Sequence, residues 1–275
     1  GENMYKELLG KSVLVTGGAL GIGAATAKAY AKAGSLVTIF DLNKNAGMDI
    51  VKSIVEEGGE AQFFHGDASK SEDCINAVNM AITNYKSLSI VFNNVAIQPP
   101  DSYLNVVDLP EEMWEQIINV NLKSRYLMAK FSIPHMKKQG KGVIISVASV
   151  QGLQSMPLVP AYAASKGGDL SLMRQMSLDF AKDNIRFASI NPGTIETPMV
   201  FNALEGTGEN IEEGLINSAQ AHPIGRNGKP EEIAKMALFL SSDNAQFITG
   251  SHFNVDGGMM AKGAWASSVG ASGSN

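Results

Sequence analysis

The chain has 275 residues, 44% hydrophobic and 18% charged, with 28 glycines and a formal net charge of −5. That length and apolar content point to a folded domain with a substantial core and exclude a disordered chain. The acidic balance, with no basic cluster, argues against nucleic acid as a partner. No run approaches the roughly 18 apolar residues of a membrane span, and the single cysteine, Cys74, offers neither a disulfide framework nor a Cys-x-x-Cys pair. A cytoplasmic protein with no membrane partner is the expectation.

Short, apolar, β-branched runs alternate with longer amphipathic stretches along the whole chain. Strands are expected at 12–16, 36–40, 61–65, 88–92, 142–147, 185–190 and 252–255, and helices at 22–33, 44–57, 71–85, 111–138, 161–182 and 230–241. Strands apolar on both faces, separated by helical patterns, predict an α/β fold. It should be a single-domain, doubly wound parallel sheet of about seven strands with helices on both faces. No linker or repeat interrupts the series, so residues 1–275 read as one domain. Residues 1–7 form an N-terminal extension, and the small, polar tail over 262–275 is expected to be flexible.

The first strand runs into "TGGALGIG", whose Gly17, Gly21 and Gly23 sit between a strand and a helix. Glycines there let the backbone approach a pyrophosphate and let the helix pack against the strand, while the free N–H groups of the helix start face the phosphates. The second strand ends in Asp41. A carboxylate at that place can bind the adenosine ribose hydroxyls and repel a 2′-phosphate, and neither Ala19 nor Leu20 is basic. NAD is therefore the expected cofactor. "GKS" at 10–12 imitates the end of a P-loop, but that pattern needs glycine where Tyr5 stands.

Tyr162 and Lys166 stand four residues apart in a run of otherwise small residues, on one helical face. An ammonium beside a phenol favours the phenolate, which is a base. By itself the spacing is that of an ordinary tyrosine beside a solvated lysine, and the rest of the chain has to decide.

Those residues together resemble the short-chain dehydrogenase/reductase family over about residues 8–260. The resemblance is carried by "TGGALGIG", Asp67 in "GDAS", "NNVA" at 93–96, Asn121 in "NVNL", Ser149 in "SVASVQG", Tyr162-x-x-x-Lys166, "NPGTIETPM" and "VDGG". It implies an NAD-dependent oxidoreductase that interconverts a secondary alcohol and a ketone or aldehyde. Tyr162 would be the general acid/base, Lys166 would lower its pKa and bind the nicotinamide ribose, and Ser149 would hold the substrate oxygen. Asn121 would hold a water linking Lys166 to a proton relay. Ser146 and Ser155 are alternatives to Ser149, and the spacing to Tyr162 favours Ser149.

The cofactor set implied is Gly17, Leu20, Gly21, Ile22, Gly23, Asp41, Asp67, Ala68, Asn94, Tyr162, Lys166, Pro192, Gly193, Ile195 and Thr197. Ala96 departs from the family, which usually has glycine there, and alanine resists a positive φ. No metal is expected, because His65, His135, His222 and His252 have no ligand spacing.

The substrate wall is expected from 96–100, 150–157 and 196–220, with Ala96, Gln98, Ser149, Gln151, Met156, Tyr162 and Met199 as pocket residues. That mixture suits a small hydroxylated or cyclic alcohol such as a sugar or polyol. A hydroxysteroid, or an NADP-dependent ketone reduction, is the alternative within the family. Outside that chemistry stand a nucleotide-sugar epimerase, usually marked by TGxxGxxG, and a dinucleotide-binding protein that has lost catalysis. The insertion 199–220 is expected to be a lid. The resemblance, with surplus apolar residues in 113–131 and 170–181, implies a homotetramer.

Overall fold

The computed structural model describes residues 5–206, 208 and 210–263, so most of the expected C-terminal tail, residues 1–4 of the N-terminal extension, and positions 207 and 209 lie outside the described residues. Seven strands form one parallel sheet: β1 Ser12–Thr16, β2 Leu36–Asp41, β3 Glu60–His65, β4 Ile90–Asn93, β5 Gly142–Val147, β6 Ile185–Pro192 and β7 Ser251–Val255, in the order β3-β2-β1-β4-β5-β6-β7. The helices are α1 Gly21–Lys32, α2 Lys44–Glu56, α3 Ser71–Tyr85, α4 Glu111–Ile118, α5 Ser124–Gln139, α6 Pro160–Phe180, α7 Pro198–Gly206, α8 Ile211–Ala219 and α9 Pro230–Ser241.

Alternation along the strands builds two separate cores. Val13, Val15, Val37, Ile39, Ile90, Phe92, Val143 and Ile145 face one side, where they pack with Ala27 and Tyr30 of α1, Ile54 of α2 and Ile233 of α9. Leu14, Phe40, Val91, Ile144 and Phe187 face the other, with Cys74 and Val78 of α3, Met128 of α5 and Met173 of α6. β1, β4, β5 and β6 are buried along their whole length, as a sheet covered on both faces requires. Each fully buried Val, Leu, Ile or Phe contributes on the order of 1.5–3 kcal/mol. No helix of the described residues is long and apolar enough to cross a membrane.

Two local features differ from the periodicity. The expected single helix over 111–138 is broken by a π-helical turn, Asn119–Lys123, between α4 and α5. Apolar spacing continues through it, so the turn leaves no mark in the pattern. The insertion after β6 is two short helices, α7 and α8, with Asn210 capping α8 by accepting from the N–H groups of Glu212 and Glu213.

β1 lies between β2 and β4, where the chain's connections turn from one direction along the sheet to the other. At such a point the loops beyond the carboxyl ends of the strands diverge and leave a crevice.

Candidate active site

One wall of the crevice is the glycine turn. Gly17 has φ +64°, and a Cβ there would come within 2.8 Å of the Val95 Cα. A Cβ on Gly23 would lie 2.0 Å from the Gly17 carbonyl oxygen, so α1 can start this close to β1 only without a side chain. The Thr16 hydroxyl accepts from the backbone N–H groups of Asn94 (3.1 Å) and Val95 (3.2 Å), and the Asn94 amide donates to the Gly17 carbonyl (2.9 Å). Asn94 therefore ties the β4 loop to the glycine turn.

At the end of β2, the Asp41 carboxylate accepts from the N–H of Ala19 (3.0 Å) and of Asn43 (2.8 Å), one on each oxygen. That fixes its orientation and leaves further lone pairs on both oxygens. Asp67 accepts from the Ser69 N–H (2.8 Å), which shapes the turn after β3, and Ala68 beside it is buried.

The other wall carries the hydroxyls. Ser149 follows β5 and is 8% exposed, with its Oγ accepting from the Gln151 N–H (3.0 Å). Tyr162 and Lys166 project from the first two turns of α6, whose start is set by Pro160 in the first turn. Ser149 lies near enough to the Tyr162 phenol to favour its ionised form. The Lys166 ammonium nitrogen donates to the Val147 carbonyl (2.8 Å) and lies 5.5 Å from the centre of the Tyr162 ring.

Burial dominates the electrostatics of the pair. It pushes Tyr162 up to about 12, against the lowering contributions of Ser149 and Arg125; Tyr103 adds to the rise. It pushes Lys166 down to about 7, helped by the neighbouring Arg125 and opposed by Asp169. The sequence argument, that an ammonium makes the phenol more acidic, is overtaken here by the cost of placing either charge in a dry site.

Asn121 sits in the π turn and spends its side chain on the loop after β4. Its Oδ1 accepts from the Ile97 N–H (2.8 Å), and its Nδ2 donates to the Ile97 carbonyl (3.0 Å) and to Ser165 (3.3 Å). The side-chain amide therefore anchors the loop that carries Ala96 and Gln98. Among the described residues only Lys86, Leu158 and Asn184 have a positive φ without being glycine. Ala96 is therefore not in the positive-φ conformation that alanine resists.

Between the walls runs a cleft of about 850 Å³. It is lined at one end by Gly17, Leu20, Gly21, Ile22, Asp41, Asp67 and Ala68, and at the other by Ser149, Tyr162 and Lys166. Asn94, Pro192, Gly193, Ile195 and Thr197 lie along it, and Ala96, Gln98 and Met199 form its outer part. Two expected pocket residues do not line it. Met156 is 50% exposed on the turn before α6, and Gln151 belongs to a short helical turn, Val150–Gly152. Gly23 also stays out of the lining, because it is used up in packing against Gly17.

The structure adds residues that the sequence did not single out. Glu112, Glu115 and Gln116 of α4 line the cleft. His222, 2% exposed, accepts from the Thr194 N–H at Nε2 (3.0 Å) and donates from Nδ1 to the Ser218 carbonyl (2.9 Å), so it joins α8 to the turn after β6. Arg125 and Asp169 lie fully buried behind Lys166. No sequence signal pairs them, since they come from different helices.

The profile of the family described as enoyl-(acyl carrier protein) reductase matches residues 17–260, the span that builds both walls. The chain is a short-chain dehydrogenase/reductase. Cyclohexanol dehydrogenase of Acinetobacter sp. (strain SE19) is 34% identical over 263 residues, covering 94% of this chain and 98% of its own. Among solved structures, the aldohexose dehydrogenase of Thermoplasma acidophilum superposes with a TM-score of 0.86 at 30% identity, covering 94% of this chain and 98% of that one. The 3-ketoacyl-(acyl-carrier-protein) reductase of Brucella melitensis, solved with NADH, gives 0.83 at 32% identity, covering 92% and 99%.

A short-chain dehydrogenase/reductase is an oxidoreductase that uses a nicotinamide dinucleotide, and the cleft fits one. Its glycine turn has no room for a Cβ at Gly17, and its carboxylate at Asp41 keeps lone pairs free, as a pyrophosphate and a ribose require. When bound, the cofactor supplies the hydride acceptor or donor, and the protein supplies everything around it.

Proposed function

We propose that this short-chain dehydrogenase/reductase is NAD-dependent and interconverts a secondary alcohol with its ketone or aldehyde, acting on a small cyclic or hydroxylated substrate. The observation that carries the reading is the convergence of Ser149, Tyr162 and Lys166 at one end of a cleft whose other end holds Asp41. Ser149 holds the substrate oxygen and Tyr162 takes or returns its proton. Lys166 holds the nicotinamide ribose, and its ammonium, once formed, stabilises the phenolate. Asp41 accepts from the ribose hydroxyls and repels a 2′-phosphate, which favours NAD over NADP.

The substrate class rests on the outer cleft. Gln98 lines it, donates to Ser102 through Nε2 (2.8 Å), and leaves its Oε1 without a hydrogen-bond partner. An acceptor oxygen beside apolar Ala96 and Met199 suits an alcohol with a second hydroxyl near the carbinol. The named activities of the cyclohexanol and aldohexose dehydrogenases support a ring-shaped alcohol. We further propose that α7 and α8 close over the substrate, that the protein is a cytoplasmic homotetramer, and that Asn121, besides anchoring the loop, holds a water linking Lys166 to a proton relay.

The test is reduction of NAD and NADP by the purified protein with cyclic alcohols, polyols, sugars and hydroxysteroids. NAD reduction with a cyclic or polyhydroxy alcohol, lost in Tyr162→Phe while NAD binding persists, is the expected result. Substantial turnover by Tyr162→Phe would sink the mechanism, and a higher kcat/KM with NADP would overturn the reading of Asp41.

A further inference from the structure

Arg125 of α5 is fully buried behind the cleft, against carbonyls of the loop after β4 and the end of β5. Its Nη1 donates to the Val95 carbonyl and to the Ser124 hydroxyl (3.0 Å), and its Nη2 donates to the Val147 carbonyl (3.3 Å). That same carbonyl receives the Lys166 ammonium nitrogen at 2.8 Å. The Arg125 Nε lies 3.4 Å from Oδ2 of Asp169, which is itself fully buried and accepts from the Ser146 hydroxyl (2.6 Å). Asp169 stands three residues after Lys166 and so shares its face of α6.

We propose that Arg125 and Asp169 are a positioning pair for Lys166: a permanent cation and its counter-ion, set behind the lysine on a shared carbonyl, that decide when Lys166 can hold its proton. The proposal rests on the reading of Tyr162 and Lys166 as the proton-transfer pair.

Charge is confined here to a dry place. Arg125, Asp169 and Lys166 are all buried, which makes two potential cations for one carboxylate. Removing such groups from water is expensive, and an apolar pair would fill the same volume without that cost. A guanidinium does not give up its proton, whereas a buried ammonium does so readily. With Lys166 neutral, Arg125 and Asp169 balance. With Lys166 protonated, one positive charge is left over, and a Tyr162 phenolate beside it restores the balance. Arg125 thus couples protonation of Lys166 to ionisation of Tyr162, so that the two groups titrate together.

The other groups facing the pair do not supply that cation. Tyr103 is a phenol that disfavours the Tyr162 phenolate, Ser146 and Ser149 are neutral, and Glu112 and Glu115 on the cleft wall are acidic. The directions of influence agree with the geometry, since Arg125 disfavours the Lys166 ammonium and Asp169 favours it.

The experiment is an NMR titration of the cofactor-free protein carrying 13C-labelled lysine, with the Lys166 signal assigned by its loss in Lys166→Met. The midpoint of Lys166 is expected to rise by about one pH unit in Arg125→Met and to fall by about one in Asp169→Asn. Opposite displacements are the signature, because general loosening of the site would move both the same way. Equal midpoints in all three proteins, or shifts of one sign, overturn the proposal. If either single variant fails to fold, as an uncompensated buried charge predicts, Arg125→Met/Asp169→Leu replaces it. That protein should fold and titrate close to the parent, about one unit away from the surviving single variant, because the two displacements cancel; a midpoint equal to the surviving variant's overturns the proposal. No alcohol or nucleotide enters the measurement, so its outcome is separate from the activity test on Tyr162→Phe.

Discussion

Lys166 carries a charge that its surroundings resist, and that resistance is measurable. Its pKa in the folded protein is about 7, below the usual lysine value near 10.4 that it regains on unfolding. Between those two values the unfolded chain binds a proton that the native protein does not, so stability rises with pH through that window. Below pH 7 both forms are protonated and the native state carries the full penalty. Lys166→Met should therefore melt higher than the parent by several degrees at pH 6, and the gap should close as the pH approaches 10. Thermal melts from pH 6 to 10 check this, and a gap that widens with pH would contradict it. The same variant should bind NAD more weakly, since it loses the proposed ribose contact. Asp41→Ala belongs to the same scale. Losing one carboxylate should relax the preference for NAD over NADP about tenfold or more in kcat/KM, read in paired assays with the two cofactors.

At the scale of elements, α7 and α8 form the proposed lid. α7 ends at Gly206, where a Cβ would come within 2.5 Å of the Pro100 Cβ, so the helix rests on the loop that carries Gln98. α8 is tied by the Ser218 carbonyl to His222, and His222 in turn holds the Thr194 N–H. Through these two contacts the helix pair touches both the substrate end of the cleft and the turn after β6. Ordering of that turn by a nicotinamide should tighten the helix pair. Backbone amides of α7 and α8 are expected to exchange more slowly, by about tenfold or more, with NAD and a substrate alcohol than without them. Unchanged exchange in hydrogen–deuterium mass spectrometry would reject a lid. The π turn at Asn119–Lys123 was invisible in the sequence because its apolar positions still satisfy a helical period. Only the bonds from Asn121 to Ile97 reveal what the turn positions.

For the molecule as a whole, the two cores on either side of the sheet leave apolar groups outside. Phe247 is fully exposed, Leu178 on α6 is 78% exposed, and Tyr126 on α5 is 49% exposed. Scattered apolar surface is normal in a monomer, but these groups lie on helices and a loop that need no further cover from their own chain. The homotetramer proposed above predicts a mass near four times 29.2 kDa by light scattering at micromolar concentration. A monomer mass would reject it.

The strands, the order of helices, the glycine turn, Asp41 and the Tyr162–Lys166 spacing were all legible in the chain. Each is a local property: apolar period, a turn's demand for glycine, or two residues one helical turn apart. The tertiary structure alone decided the rest. It brought Arg125 on α5 and Asp169 on α6 to the back of Lys166, sent Met156 to the surface, and used the Asn121 side chain to anchor a loop. It also set how strongly burial opposes the ionisation of Tyr162 in the cofactor-free protein. Desolvation depends on how completely neighbours exclude water, and charge coupling depends on distances between elements far apart in the chain, so neither is written in the spacing of two residues.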